Sequence, residues 1–199
     1  MNYQVPASAL ADEQIIKKSR FITHIQRAEN KDQAKAFIQS IKAQHPDARH
    51  HCWAYIAGHP TASIDVAFSD DGEPSGTAGK PILNVIQHRN VGEIVAVVVR
   101  YFGGIKLGAG GLVRAYSSSA SLAVDKLEVI TLVERKSFNI TFNYSVESSI
   151  KHLLETHNIT IQKANYTARV SLSIDVPASD IESLNQQLIN ISSGQVSLL

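Results

Sequence analysis

The stretch that decides the fold covers residues 93–116 and reads EIVAVVVRYFGGIKLGAGGLVRAY. Its first part, residues 93–101, is a continuous apolar and β-branched run, which is the pattern of a strand covered on both faces. Glycines dominate residues 103–111, and apolar residues then recur at helical spacing from Leu112. The stretch therefore predicts a central strand, a glycine-rich loop and a long helix in an α+β domain.

The residues before this stretch predict further elements of the same domain. We expect a strand in residues 18–26, a helix from Asn30 that ends before Pro46, and a hairpin of two strands in residues 50–57 and 63–69. Another glycine-rich segment, the first of the two along the chain, follows in residues 69–81. It leads into a helix, so both glycine-rich segments precede helix N-termini.

The pattern restarts after Val133, where we place a domain boundary between residues 1–133 and 134–199. Apolar residues alternate in residues 138–144 and 168–176, and two amphipathic helices separate the strands. Val196 and Leu198 predict a final strand. The order βαββαβ is typical of a ferredoxin-like domain, so the fold class is α+β with two domains.

Composition limits the classes of function. The 199 residues are 44% hydrophobic and carry a formal net charge of +1, which is far from the basic balance of a typical nucleic-acid domain. The single cysteine, Cys52, excludes an internal disulfide framework and a paired-cysteine zinc site. No apolar run is long enough for a membrane helix, and we expect a cytoplasmic protein without metal or cofactor.

The first glycine-rich segment, residues 69–81, reads SDDGEPSGTAGKP. An anion could bind where it meets the following helix, because helix N-termini present unpaired N–H groups. Its spacing does not fit a Walker A loop. The alternatives are a structural loop and a cation site on its acids, although a solvated acidic turn is the simpler interpretation of those acids. The candidate residues are Asp70, Asp71, Gly72, Glu73, Pro74, Ser75, Gly76, Thr77 and Gly79.

The second glycine-rich segment, residues 100–116, lacks the final glycine of a dinucleotide fingerprint. It combines cations with aromatic rings, which are the ingredients of an RNA site. Of those rings, we expect Phe102 and Tyr116 to lie in the core. The candidate residues for binding nucleic acid or phosphate are Lys80, Arg100, Lys106, Gly108, Gly110, Gly111 and Arg114.

The residues His50, His51 and Cys52 suggest a metal site or a nucleophile. In a strand His50 and Cys52 share one face and His51 takes the other, so at most two ligands converge locally. No partner that would activate Cys52 can be named, and we interpret it as a structural residue. No catalytic residue is predicted.

The two glycine-rich segments closely resemble the signatures of the IMPACT family, and the likeness extends to residues 18–21 and 48–55. The resemblance implies an N-terminal domain with the fold of ribosomal-protein S5 domain 2. The C-terminal part is similar to the second, ferredoxin-like domain of bacterial members. Eukaryotic members regulate translation, and the resemblance implies RNA binding or ribosome association for bacterial members.

Three hypotheses for function follow. In the first, the glycine-rich basic loops bind RNA, the ribosome or a translation factor. In the second, the same loops bind or act on a phosphorylated small molecule, with Asp70, Asp71 or Glu73 as the general base. In the third, the protein is an interaction scaffold and its glycine motifs are structural.

Overall fold

In the computed structural model, which describes residues 2–198, the chain divides into a unit of Tyr3–Leu132 and a unit that begins at Val133. Both units combine helices and strands, which confirms the predicted two-domain α+β class. The elements of the first unit are β1 (Tyr3–Pro6), β2 (Leu10–Ile16), β3 (Ser19–Arg27), α1 (Lys31–Gln44), β4 (His50–Ala57), β5 (Asp65–Ser69), α2 (Gly79–His88), β6 (Ile94–Tyr101), α3 (Ala109–Asp125) and β7 (Val129–Leu132).

β6 is the central strand that the sequence predicts. It lies between β3 and β4 in an antiparallel sheet of order β2-β3-β6-β4-β5. Its residues are buried from Ile94 to Arg100, and only Tyr101 is partly exposed. Alternate side chains face opposite layers: Ala96 and Val98 pack in the cluster that includes α2 and α3, whereas Val97 packs in the cluster that includes α1.

The strands β1, β2 and β7 were not predicted, whereas β3 corresponds to the strand expected in residues 18–26. β2 and β3 form a hairpin through Lys17 and Lys18, whose φ angles are +46° and +66°. Such a turn usually contains asparagine or glycine, so two lysines gave no signal. β1 and β7 pair antiparallel, with Tyr3 opposite Leu132.

The second unit contains β8 (Arg135–Phe142), α4 (Glu147–Thr156), β9 (Thr160–Tyr166), β10 (Val170–Pro177) and α5 (Ile181–Ile191). Its antiparallel sheet has the order β8-β10-β9, so the third strand lies between the first and second. This is the split arrangement of a ferredoxin-like unit. Its core joins strand residues such as Leu172 to helix residues such as Leu154 and Leu188.

The final strand predicted at Val196 and Leu198 is wrong for the described residues, although both side chains are buried. The Val196 N–H donates to Ser192 Oγ at 2.9 Å, and the Leu198 N–H donates to Asn185 Oδ1 at 2.8 Å. Side-chain acceptors therefore take the backbone donors that a strand ladder would need. Alternating burial was present without strand pairing.

A histidine pair links α1 to the sheet. His24 Nε2 lies 3.1 Å from His45 Nε2, and His45 Nδ1 lies 3.0 Å from the Tyr101 hydroxyl. Burial lowers the pKa of His24 below its ordinary value of 6.5, and the charge on His45 lowers it further. Burial is also the main cause of the lowered pKa of His45. The folded domain therefore favours neutral imidazoles at both positions.

We predict that acid destabilises this domain through the histidine pair. Because the folded pKa values are depressed, the stabilisation is complete above the unfolded pKa of about 6.5 and is lost as pH falls through the folded values. The urea midpoint, followed by the emission of Trp53, should fall between about pH 7.5 and about pH 5.5. The variant with His24→Gln and His45→Gln should lose much of this dependence, and an unchanged dependence would contradict the assignment.

Candidate functional site

A cleft of about 390 Å³ opens at the start of α3, and we call it the α3 cleft. The register of the sheet creates it, because His50 at the start of β4 lies opposite Arg100 near the end of β6. Its lining residues are Arg49, His50, Glu73, Pro74, Arg100, Phe102, Lys106, Leu107, Gly108, Ala109 and Leu112.

The lining combines apolar surface with cations. Phe102 and Leu107 supply apolar area, and Phe102 is 53% exposed, so its predicted place in the core was wrong. Arg49 and Lys106 have no ion-pair partner among residues 2–198. His50 Nδ1 lies 2.9 Å from the Asp71 carbonyl oxygen, which can only accept, so Nδ1 carries the proton.

The N-terminus of α3 faces this cleft without a capping side chain. Gly108 is the N-cap residue, with a φ of +72° that favours glycine, and no acidic residue occupies the first turn. The first amide to find a helical acceptor is that of Leu112, which donates to the Gly108 carbonyl at 2.9 Å. The earlier amides and the positive end of the helix dipole are therefore available to an anion.

The N-terminus of α2 is occupied in a different way. Asp70 Oδ1 accepts from the backbone N–H of Ala78 at 2.9 Å and of Gly79 at 2.8 Å, while Oδ2 accepts from Gly76 at 2.8 Å. Burial raises the pKa of Asp70, but these hydrogen bonds outweigh burial and hold the pKa below its ordinary value. The anion site that we expected beside the first glycine-rich segment is therefore filled by the protein's own carboxylate.

Glu73, Arg100 and Tyr116 form a buried polar network beside the cleft. Arg100 Nη1 donates to Glu73 Oε1 at 2.6 Å, and the Tyr116 hydroxyl donates to the same oxygen at 2.8 Å. The Arg100 guanidinium lies 5.6 Å from the ring centroids of both Phe21 and Phe102. The charge of Arg100 is thus neutralised by the Glu73 carboxylate, and the pair fixes one wall of the cleft. Tyr116 lies in the core, as expected.

The remaining acidic candidate is also used internally. Asp71 accepts from Lys42 Nζ at 2.8 Å and from the His51 N–H at 2.7 Å. Cys52 is fully buried with Sγ 2.9 Å from the Asp70 carbonyl oxygen, and burial raises the pKa of its thiol above the ordinary range. Asp70, Asp71 and Glu73, the three acids proposed as general bases, therefore hold the loop through internal hydrogen bonds.

The residues predicted to bind nucleic acid or phosphate lie in four places. Arg100, Lys106 and Gly108 line the α3 cleft, and Gly110 and Gly111 lie in the first turn of α3. Arg114 lines a neighbouring hollow of about 230 Å³ with Lys17, and Leu107 lines both this hollow and the cleft. Lys80 lies apart, with Nζ 5.8 Å from the ring centroid of Phe68.

Sequence reasoning missed Arg49 and His50 as cleft residues. His50 is the first residue of β4 and Arg49 directly precedes it, far along the chain from the second glycine-rich segment, and the pairing of β4 with β6 brings them there. One signal was available, since alternation places His50 on the face of Cys52, towards the layer of α2 and α3.

Two classes of feature are absent from residues 2–198. No helix there is long and apolar enough to cross a membrane. No three histidine, cysteine, aspartate or glutamate side chains converge as they would around a metal ion.

Comparison with known families matches residues 17–124 to the Impact N-terminal domain, a range that contains every residue of the α3 cleft. The chain belongs to the IMPACT family. The resemblance carried by the glycine-rich motifs is thereby confirmed. Residues 140–195 match a family described as a domain of unknown function (DUF1949).

Members of the IMPACT family align over nearly the whole chain. An IMPACT family member of Haemophilus influenzae is 46% identical over 98% of this chain and 94% of its own length. The family member YigZ of Escherichia coli is 41% identical over 100% of this chain and 97% of its own. A crystal structure titled as that of a hypothetical protein, 41% identical, covers 100% of this chain and 96% of its own with a TM-score of 0.70.

We predict that the buried network is worth much more than a surface ion pair. Glu73→Gln leaves Arg100 buried without its counter-charge and should cost about 3–5 kcal/mol of unfolding free energy. Tyr116→Phe should cost about 1–2 kcal/mol. The control is Asp125→Asn, which removes the exposed partner of Arg89 and should cost about 0–1 kcal/mol.

Urea unfolding of the four proteins at neutral pH measures these differences. A loss for Glu73→Gln no larger than that of the control would show that Arg100 does not depend on the carboxylate.

Proposed function

We propose that the N-terminal domain binds single-stranded RNA of the translation machinery at the α3 cleft. The observation that carries the proposal is the open N-terminus of α3 beside two unpaired cations, Arg49 and Lys106. Helix N-termini bind phosphate through their free N–H groups, and nearby cations add sequence-independent attraction. The same domain supplies an internal contrast, because Asp70 already fills the N-terminus of α2.

The apolar part of the cleft suits a nucleobase. Phe102 is half exposed, and one neighbour of its ring is the Arg100 guanidinium. Aromatic side chains of this kind stack on unpaired bases, and stacking is tolerant of sequence. A volume of about 390 Å³ lies at the small end of ligand pockets, which fits one nucleotide of a longer strand.

The link to translation rests on family membership. The relatives' names state only the family, and the resemblance of the motifs to those of translation regulators supports the choice of ribosomal or messenger RNA as the partner. Recognition through phosphate and a single base supports binding of many RNA sequences with little discrimination.

A phosphorylated small molecule is the second candidate. The size of the cleft favours it, since a free nucleotide would also fill the volume. The acids Asp70, Asp71 and Glu73 are held by internal hydrogen bonds, which weakens the case for catalysis. We therefore expect binding without turnover, and a free mononucleotide should bind more weakly than an oligonucleotide.

We predict that removing the cleft cations weakens RNA binding. The variant with Arg49→Ala and Lys106→Ala should bind a labelled oligouridylate about 10-fold to 100-fold more weakly, and the slope of affinity against salt should fall by about 1.4. Fluorescence anisotropy at two salt concentrations gives both quantities.

The matched control is the variant with Arg89→Ala and Lys126→Ala, which loses the same charge. These residues follow the C-terminal ends of α2 and α3, and the 17 residues of α3 place Lys126 about 25 Å from the cleft. Equal weakening in both variants would indicate non-specific attraction and contradict the proposed site.

We also predict that Gly110→Ala separates ligand binding from folding. A Cβ at this position would meet only Arg114 Nη1, at 3.6 Å, so the protein has room for it. Replacing glycine in a helix should stabilise the domain by about 0.5–1 kcal/mol. RNA affinity should fall because the methyl group obstructs phosphate at the first turn. Raised stability with unchanged affinity would exclude that turn as the phosphate site.

A further inference from the structure

A second groove, of about 550 Å³, lies on the opposite face of the same sheet, and we call it the α1 groove. Successive side chains of β4 point to opposite faces of the sheet, so that His50 faces the α3 cleft and Trp53 packs on the side of α1. The residues that matter below are Lys35, Gln39 and Lys42 of α1, Trp53 and Tyr55 of β4, and Asp71.

An aromatic pair forms part of the wall of this groove. The Trp53 and Tyr55 rings are stacked, with centroids 5.7 Å apart and planes 11° apart. Tyr55 is buried, whereas Trp53 is partly exposed and lines the groove. Among residues 2–198 the indole N–H has no hydrogen-bond acceptor, although a partly buried tryptophan usually finds one. The groove therefore offers an aromatic surface and an unused donor.

The charge of the groove is positive. Lys42 Nζ and Asp71 Oδ1 are 2.8 Å apart and neutralise each other, and Asp71 also accepts from the His51 N–H. Lys35 has no ion pair in the described chain. One unmatched cation beside an aromatic face is complementary to a nucleotide, which presents one phosphate and one flat base.

The α1 groove and the α3 cleft are neighbours along the chain. Ser69 and Asp71 line the groove, and Glu73 and Pro74 line the cleft, so one short turn separates the two sites. A single strand that contacts both sites would therefore pass around this turn.

We propose that the α1 groove is a second nucleotide subsite, in which a base contacts Trp53 and the adjoining phosphate contacts Lys35. The inference rests on RNA binding at the α3 cleft and extends it to a strand of several nucleotides. An acidic peptide would use the same cation, but it has no flat group to match the aromatic pair. The groove therefore favours RNA.

Trp53 is the single tryptophan of the chain, so its emission reports on the groove directly. The experiment titrates the protein with a uridylate trinucleotide and a uridylate decanucleotide, while tryptophan is excited selectively. We expect the decanucleotide to quench Trp53 and to shield it from acrylamide. The trinucleotide, which the α3 cleft binds alone, should change the emission little.

Variants distinguish the two sites. Lys35→Ala should weaken decanucleotide binding about 3-fold to 10-fold, lower the salt slope by about 0.7 and leave trinucleotide binding unchanged. Trp53→Phe retains an aromatic ring in the groove and should weaken decanucleotide binding less than Trp53→Leu, as measured with labelled RNA. The control Lys31→Ala removes an exposed lysine from the first turn of the same helix and should behave as the wild type.

Three results would overturn the inference. If the decanucleotide binds through Lys106 but neither Trp53 emission nor Lys35→Ala responds, the α1 groove is not a subsite, and the proposed function stands. If polyglutamate shields Trp53 and no oligouridylate binds, the groove is a protein surface and both proposals fail. If Lys31→Ala and Lys35→Ala weaken RNA binding equally, α1 attracts RNA through its general positive charge, and the groove is not a specific subsite.

Discussion

The contact between Arg100 and Glu73 is the interaction on which the site depends. It joins β6 to the first glycine-rich segment, and the Tyr116 hydroxyl extends it to α3. Removing two charges from water is costly, and a buried pair persists only where geometry and further hydrogen bonds compensate for that cost. This requirement holds the loop, the strand and the helix in one arrangement. The α3 cleft is a consequence, because its lining residues come from those three elements, from the loop that joins β6 to α3, and from the residues at and just before the start of β4.

The two glycine-rich segments are alike in composition and opposite in electrostatics. The first carries Asp70, which fills the N-terminus of α2, and Gly79 lets the chain pass so close that a Cβ would lie 2.6 Å from the Ser69 carbonyl carbon. The second has no acid, and Gly108, the N-cap residue, turns the chain into α3 without a capping side chain. One loop therefore closes on itself, while the other remains available to a ligand. Glycine content alone could not distinguish them.

Local pattern predicted the elements that are regular and buried. The apolar run of β6, the stripe of α1 and the alternation of β10 each follow from one segment of sequence. Pattern could not predict pairings between distant segments, such as Arg100 with Glu73 or His50 opposite Arg100. The exposure of Phe102 was missed for the same reason, since the space around that ring depends on other elements. Val196 and Leu198 show the reverse case, in which burial without pairing imitates a strand.

The net charge of the chain is close to zero, but one part of the N-terminal domain is locally positive. No aspartate or glutamate occurs between Glu93 and Asp125, and this interval contains Arg100, Lys106 and Arg114. In the folded domain Glu73 lies beside this interval, where it forms an ion pair with Arg100. The other two cations flank the open end of α3, where the helix dipole adds to their charge. Charges farther away than about 8–10 Å are largely screened at physiological salt, so an anion at this end responds to the local balance. A near-neutral chain can therefore present a site for phosphate.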